Sequence, residues 1–257
     1  MAAIILERVV VSYPSQLQPA LGPLDLTIQE GECVFVTGPN GSGKTTLARM
    51  LSGVIHPTAG HVTNGEGLDI TEWPPGYIGW VQQNPLTQMV GTTVSEDVSL
   101  GPRWLSATLA QVVHQTAGAI DRFHLGPLRN HTIHTLSGGW QHQVALAAVW
   151  AQDPRVIILD EPETMLDGPA MQRLMTWIQN LRDTGTTLMI LGHNPRWLAV
   201  ADRTVVLDHG VWVKDSLPTT DKDREWDRFL TGLFGDGYRP ESIDEVSEWI
   251  WPGKSAR

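Results

Sequence analysis

The run Gly38-Pro39-Asn40-Gly41-Ser42-Gly43-Lys44-Thr45-Thr46 constrains this chain more than any other stretch. A short β-branched and aromatic segment precedes it at residues 34–37, and Leu47-Ala48-Arg49-Met50-Leu51 follows, so the pattern predicts strand, loop, helix. Gly38, Gly41 and Gly43 allow backbone conformations closed to other residues and turn successive N–H groups toward a phosphate chain at the helix N-terminus. Lys44 supplies a mobile ammonium for the β- and γ-phosphates. The Thr45 hydroxyl is suited to join the shell of a Mg²⁺ ion, which prefers hard oxygen ligands. A nucleotide cradle is the expectation.

The rest of the chain reads as an α/β protein built around that loop. Residues 4–11 are β-rich, and Leu24, Leu26 and Ile28 alternate with polar residues, which predicts antiparallel strands ahead of the loop. Residues 53–67, rich in Gly, Pro and Thr, are expected to form a hairpin or loop, and residues 78–81 a short strand. From about residue 85 to residue 152 the texture turns helical, with windows at 105–115 and 140–150, as for a helical subdomain inserted in an α/β core. Apolar runs at 156–159 and 187–191 are short enough for buried parallel strands, and the helical spacing of Met171, Leu174, Ile178 and Leu181 lies between them. Residues 204–213 read as a hairpin around Asp208-His209-Gly210. The tail from residue 216 to residue 257 is charged and Trp-containing; Trp226, Phe229, Trp249 and Trp251 suggest a dimer contact, although a core can equally claim them.

Further groups extend the chemistry. Asp160 and Glu161 follow the apolar run 156–159, at the carboxyl end of a predicted parallel strand, where open α/β sheets place their ligands. Asp160 is positioned to hold Mg²⁺ directly or through water, and Glu161 to polarise a water aimed at the γ-phosphate. His193, after another strand, is a candidate hydrogen-bond donor to that phosphate. Tyr13 lies in a loop where its ring either stacks on a base or packs into the fold. Leu136-Ser137-Gly138-Gly139 precedes a helix and offers a second phosphate-binding end, which suggests that two chains sandwich each nucleotide.

Composition narrows the setting. The chain has 257 residues and a formal net charge of −10, a poor match for non-specific nucleic-acid binding. Its single cysteine, Cys33, gives no disulfide or zinc framework, and a reducing compartment is expected. No apolar stretch approaches the roughly 20 residues needed to cross a bilayer, and the N-terminus lacks a basic-then-apolar export signal. A membrane role therefore runs through a partner.

Taken in order, the phosphate loop, the Gln83 loop, Leu136-Ser137-Gly138-Gly139, residues 158–162 ending Asp160-Glu161-Pro162, Leu166-Asp167 and His193 resemble the ATPase subunit of ABC transporters over residues 4–214. The resemblance implies a P-loop NTPase (RecA-like) core with an antiparallel β subdomain and an inserted α-helical subdomain. It implies an ATPase domain over residues 1–215, its helical part at about 85–152, and an extension at 216–257. ATP and Mg²⁺ are the implied cofactors. Tyr13 would stack on adenine; residues 38–46 would wrap the phosphates. Gln83 would sit with Thr45 and Asp160 at the metal and link that site to a membrane partner. Ser137, Gly138, Gly139 and Asp167 would reach the ATP of an opposite subunit, so that ATP holds a homo- or heterodimer together. The segment Gln83-Asn84-Pro85 followed by residues 88–94 and Glu96-Asp97-Val98 further resembles the energy-coupling factor (ECF) group. Those ATPases drive uptake of vitamins or transition-metal ions, at the cytoplasmic face of the membrane, under a shared transmembrane subunit with a separate substrate-capture protein. An ordinary ABC importer, or a soluble ABC ATPase without a transport role, shares the same motifs.

Two departures stand out. Trp140 occupies the place of the family's usual Gln, and Glu163, Thr164 and Met165 replace Thr and small residues. Both fall on elements expected to serve the partner's ATP, which suggests an asymmetric pair, or else a tolerated Trp in a normal homodimer.

Overall fold

The computed structural model describes residues 1–14, 17–105, 108–164 and 166–216. In chain order the elements are β1 (Ala2–Val11), β2 (Leu21–Gln29), β3 (Cys33–Thr37), α1 (Lys44–Leu51), β4 (Ala59–Thr63) and β5 (Ile78–Val81). There follow α2 (Val94–Trp104), α3 (Leu109–Arg122), α4 (Gly138–Trp150), β6 (Val156–Asp160), α5 (Gly168–Asp183), β7 (Thr187–Leu191), β8 (Arg203–Asp208) and β9 (Val211–Ser216).

Two sheets result. The smaller has the order β2-β1-β4 and is antiparallel throughout. In β2 the buried Leu24, Leu26 and Ile28 alternate with exposed Asp25, Thr27 and Gln29, as a strand with one dry face requires. The larger sheet has the order β5-β6-β7-β3-β8-β9, parallel except where β9 pairs antiparallel with β8. Strands β3, β6 and β7 are buried at every residue, which explains their continuous apolar runs.

The pleat splits the core into two. Val34, Val36, Val156, Ile158, Met189 and Leu191 face the small sheet and the Leu47-Ala48-Met50-Leu51 stripe of α1. Phe35, Ile157, Leu159, Leu188 and Ile190 face the other way, onto α4, α5 and the helical region with Val98, Ile120 and Phe123. Successive residues of one strand thus hold the β subdomain on one side and the helices on the other. The ends of β3, β6 and β7 emerge together between these layers.

The fold matches the expected class and corrects two local expectations. Residues 53–67 contain β4, which closes the far edge of β1 with Val62 opposite Leu6; five residues with a Gly among them gave little strand signal. The helical window at 105–115 straddles a break. Leu105 is the C-cap of α2, and Thr108 starts α3 through a capping box with Gln111. Of the tail, Ser216 ends β9; Trp226, Phe229, Trp249 and Trp251 lie outside the described residues, as does Met165.

Candidate functional site

The site begins where β3 ends. Gly38 adopts φ 150°, and a Cβ there would collide with the carbonyl of Leu207, so the loop can lie flat over the sheet only with glycine. Gly41 at φ 81° and Gly43 at φ 104° complete the turn, and Gly43 is the N-cap of α1. The resulting cavity has a volume of about 790 Å³. Residues 40–46 form its floor, Tyr13 and residues 17–20 one wall, and Glu161 and His209 its remaining edges. This is ample for a nucleoside triphosphate.

Lys44 is 5% exposed and folds back over the loop, its Nζ donating to the carbonyls of Gly38 at 2.7 Å and Pro39 at 3.1 Å. Burial lowers its pKa, while the carboxylates of Glu161, Asp160 and Glu163 pull it back up. The ammonium is held by two neutral carbonyls, which a phosphate can readily replace.

Asp160, the last residue of β6, is 3% exposed. Burial, reinforced by the neighbouring Glu161 charge, pushes its carboxyl up to about 6, against the pull of the Thr45 hydroxyl, Lys44 and Arg49. Its Oδ1 is buried without a hydrogen-bond partner. A hard cation would satisfy that atom, so Asp160 and Thr45 suit Mg²⁺. Among the described residues no cluster of three or more His, Cys, Asp or Glu forms a self-sufficient metal cage.

Glu161 turns sharply, at φ 46°, and its N–H donates to the Leu191 carbonyl at 2.7 Å. Its carboxylate accepts from Gln83 Nε2 at 2.7 Å, and His193 Nδ1 stands 3.9 Å from its other oxygen. Three residues far apart in sequence, Gln83, Glu161 and His193, thus meet at the rim of the cradle. Gln83 directs its amide nitrogen to Glu161 and, at 3.5 Å, to Thr164. The Tyr13 hydroxyl lies 3.5 Å from Thr46 Oγ1, bringing the ring to the cavity wall.

Ser137, Gly138, Gly139 and Asp167 are not among the residues lining the cavity. Ser137 is the exposed N-cap of α4, and its hydroxyl makes no capping bond. Gly139 packs so closely on α5 that a Cβ would come within 2.6 Å of that of Ala170. Asp167 caps α5 through the Ala170 N–H at 2.8 Å. Trp140 packs on the core, with the Arg173 guanidinium 5.4 Å from its ring centre.

Glu163, expected on a surface serving the partner's ATP, turns its carboxylate toward its own chain, accepting from the backbone N–H groups of His193 and Asn194 and from the Trp197 indole. Sequence reasoning also missed residues 17–20 and His209 as cavity walls; nothing in their residue types distinguishes them from ordinary loop and turn residues.

A family model described as "ABC transporter" matches residues 21–164. The energy-coupling factor transporter ATP-binding protein EcfA of Methanosarcina acetivorans is 34% identical over 248 residues, covering 95% of this chain and 88% of that protein. The cobalt import ATP-binding protein CbiO of Syntrophus aciditrophicus is 34% identical over 211 residues, 80% of this chain and 75% of that one. The dimeric structure of the bacterial ABC transporter cassette MJ0796 superposes with a TM-score of 0.73 at 26% identity, covering 85% of this chain and all of that one.

Proposed function

The chain belongs to the ABC transporter family as an ATPase subunit, and from that premise we propose that it energises ECF-type uptake of a vitamin or transition-metal ion. Residues 1–215 act as the ATPase domain, with the helical part near 85–152 and an extension at 216–257. It works at the cytoplasmic face of the membrane, paired with a second ATPase subunit beneath a transmembrane coupling subunit and a substrate-capture protein. Relatives named for energy-coupling factor and cobalt import support the transport class. No helix among the described residues is long and apolar enough to cross a membrane, and on this reading the companions supply the contact with the bilayer.

The observation that carries the mechanism is the division of the site. Tyr13, residues 40–46 and Glu161 line one cavity, with Gln83 and His193 gathered against Glu161, while Ser137, Gly139 and Asp167 are outside that lining, the serine exposed and uncapped at a helix N-terminus. On this reading the second set serves a nucleotide held by the partner subunit. The dimeric state of the MJ0796 cassette agrees with that arrangement.

In the closed pair Tyr13 stacks on adenine, residues 38–46 enclose the phosphates and Lys44 exchanges its carbonyl partners for phosphate oxygens. Thr45 and Asp160, with Gln83 alongside, would hold Mg²⁺, which would supply neutralisation of the phosphate charge. Glu161 orients a water in line with the γ-phosphate and accepts its proton as the new P–O bond forms and ADP leaves. His193 donates to the γ-phosphate. Gln83, bonded to Glu161, senses whether that phosphate is present and passes the change to the helical region and the membrane partner.

The test is Glu161→Gln in the purified complex. It is expected to bind ATP normally, remain in the closed dimer and lose turnover by a factor of about 10² or more. Wild-type phosphate release by this variant would remove Glu161 from the reaction. Lys44→Ala is expected to lose both turnover and affinity.

A further inference from the structure

We infer that Glu163 is a positioning residue that sets the orientation of His193, tying the loop after β6 to the loop after β7. This rests on the reading of His193 as the γ-phosphate contact. The His193 imidazole cannot fix its own direction, since its side chain is 54% exposed and faces Glu161 only at 3.9 Å. What holds it is the backbone beneath. Glu163 Oε1 accepts the N–H of His193 and that of Asn194, each at 3.3 Å. Its Oε2 accepts the indole Nε1–H of Trp197 at 3.0 Å. Trp197 is fully buried, so that indole donor has no access to water.

The seat is shaped for a carboxylate. Gly192 flanks it so tightly that a Cβ there would lie 2.8 Å from Glu163 Oε1. Three donors converge on two oxygens, an arrangement that a carboxylate satisfies and an amide, with one acceptor oxygen, cannot. Glu163 is also two residues from Glu161, and with Glu161 and Asp160 its charge opposes the lowering of the Lys44 pKa by burial. The bonded pair of loops therefore moves as one body. When the γ-phosphate is bound, the water-orienting Glu161 and the phosphate-contacting His193 keep a fixed spacing, and a small misplacement of either is costly to the rate.

The test is a double-mutant cycle on the assembled transporter complex with Glu163→Gln and His193→Ala, separately and together, scored by kcat and by the equilibrium affinity for ATP. Glu163→Gln is expected to lower kcat about tenfold or more while leaving ATP affinity within about threefold, and to add nothing in the His193→Ala background. An equal loss in both backgrounds would mean general damage and overturn the inference. Trp197→Phe, which keeps the ring and removes the donor, is expected to act in the same direction by about threefold. Amide hydrogen exchange across residues 192–194 of the nucleotide-free chain gives a readout independent of catalysis, and is expected to quicken in Glu163→Gln; unchanged exchange overturns the positioning. Faster exchange with full turnover in His193→Ala would keep the tether and refute the γ-phosphate role instead.

Discussion

Cys33 shows how far burial alone decides a residue's chemistry. It opens β3 with no exposed surface, its N–H held by Asp202, and desolvation, aided by the Asp202 charge, pushes its thiol up to about 12. A thiolate is the reactive form, so the folded protein should resist iodoacetamide at pH 8.5, where an unfolded chain reacts. Mass spectrometry after timed alkylation checks this; modification of native protein at the unfolded rate would mean that β3 opens. The sign for stability follows. The unfolded thiol ionises near 9 and the folded one near 12, so the unfolded state holds fewer protons between them and stability falls as pH rises through that window. Residue identity predicted this much, because a lone cysteine in an apolar run is usually a small core residue. It did not predict Glu163. A glutamate two positions after an acidic pair looks like surface charge, and its three donors, at His193, Asn194 and Trp197, become neighbours only when β6 and β7 pair.

Among the elements, α4 is the least like a surface helix. Residues 141–147 are buried, including the polar Gln141, His142 and Gln143. Gln141 gives its amide to the Leu136 carbonyl at 2.9 Å and Gln143 to that of Phe123 at 2.5 Å, fixing the Ser137 loop and the end of α3 to this helix. His142 has no such compensation. Its Nε2 is buried without a partner, and desolvation lowers its pKa from 6.5 to about 4. The unfolded chain therefore binds a proton that the folded chain refuses. Stability is complete above pH 6.5 and declines as pH falls toward 4, by about 3 kcal/mol if this residue acted alone. Urea midpoints at pH 7.5 and 4.5 should show a steeper acid loss in the parent than in His142→Leu; parallel losses would assign the acid sensitivity elsewhere. The helix itself was legible in the sequence, from the glycines and serine at its start and the apolar residues that follow. Its depth of burial was not, since three consecutive polar residues at 141–143 give no sign of it until the partners Leu136 and Phe123 are brought against Gln141 and Gln143.

At the scale of the whole molecule, the sequence order of motifs was enough to name the fold, because the phosphate loop, Gln83, Asp160-Glu161 and His193 each follow a strand that the parallel sheet brings to one edge. The sandwich is a different kind of statement, since it concerns a surface that a single chain leaves open. Ser137 provides the means to test it. Its side chain is exposed at the start of α4, makes no capping bond and lies off the cavity that this chain encloses. A carboxylate placed there would cancel the attraction of a helix N-terminus for phosphate and face the partner's nucleotide with like charge. In the Glu161→Gln background, where ATP is expected to lock the pair, Ser137→Glu should therefore prevent closure, while ATP still raises the melting temperature of the single subunit through its own cradle. Light scattering with and without ATP measures the first effect and a thermal shift the second, with a companion subunit added where the pair is mixed. A dimer that persists through Ser137→Glu would detach this helix from the partner's phosphates. A lost thermal shift would instead place Ser137 at the chain's own nucleotide, and either result would dismantle the division of the site on which the transport mechanism stands.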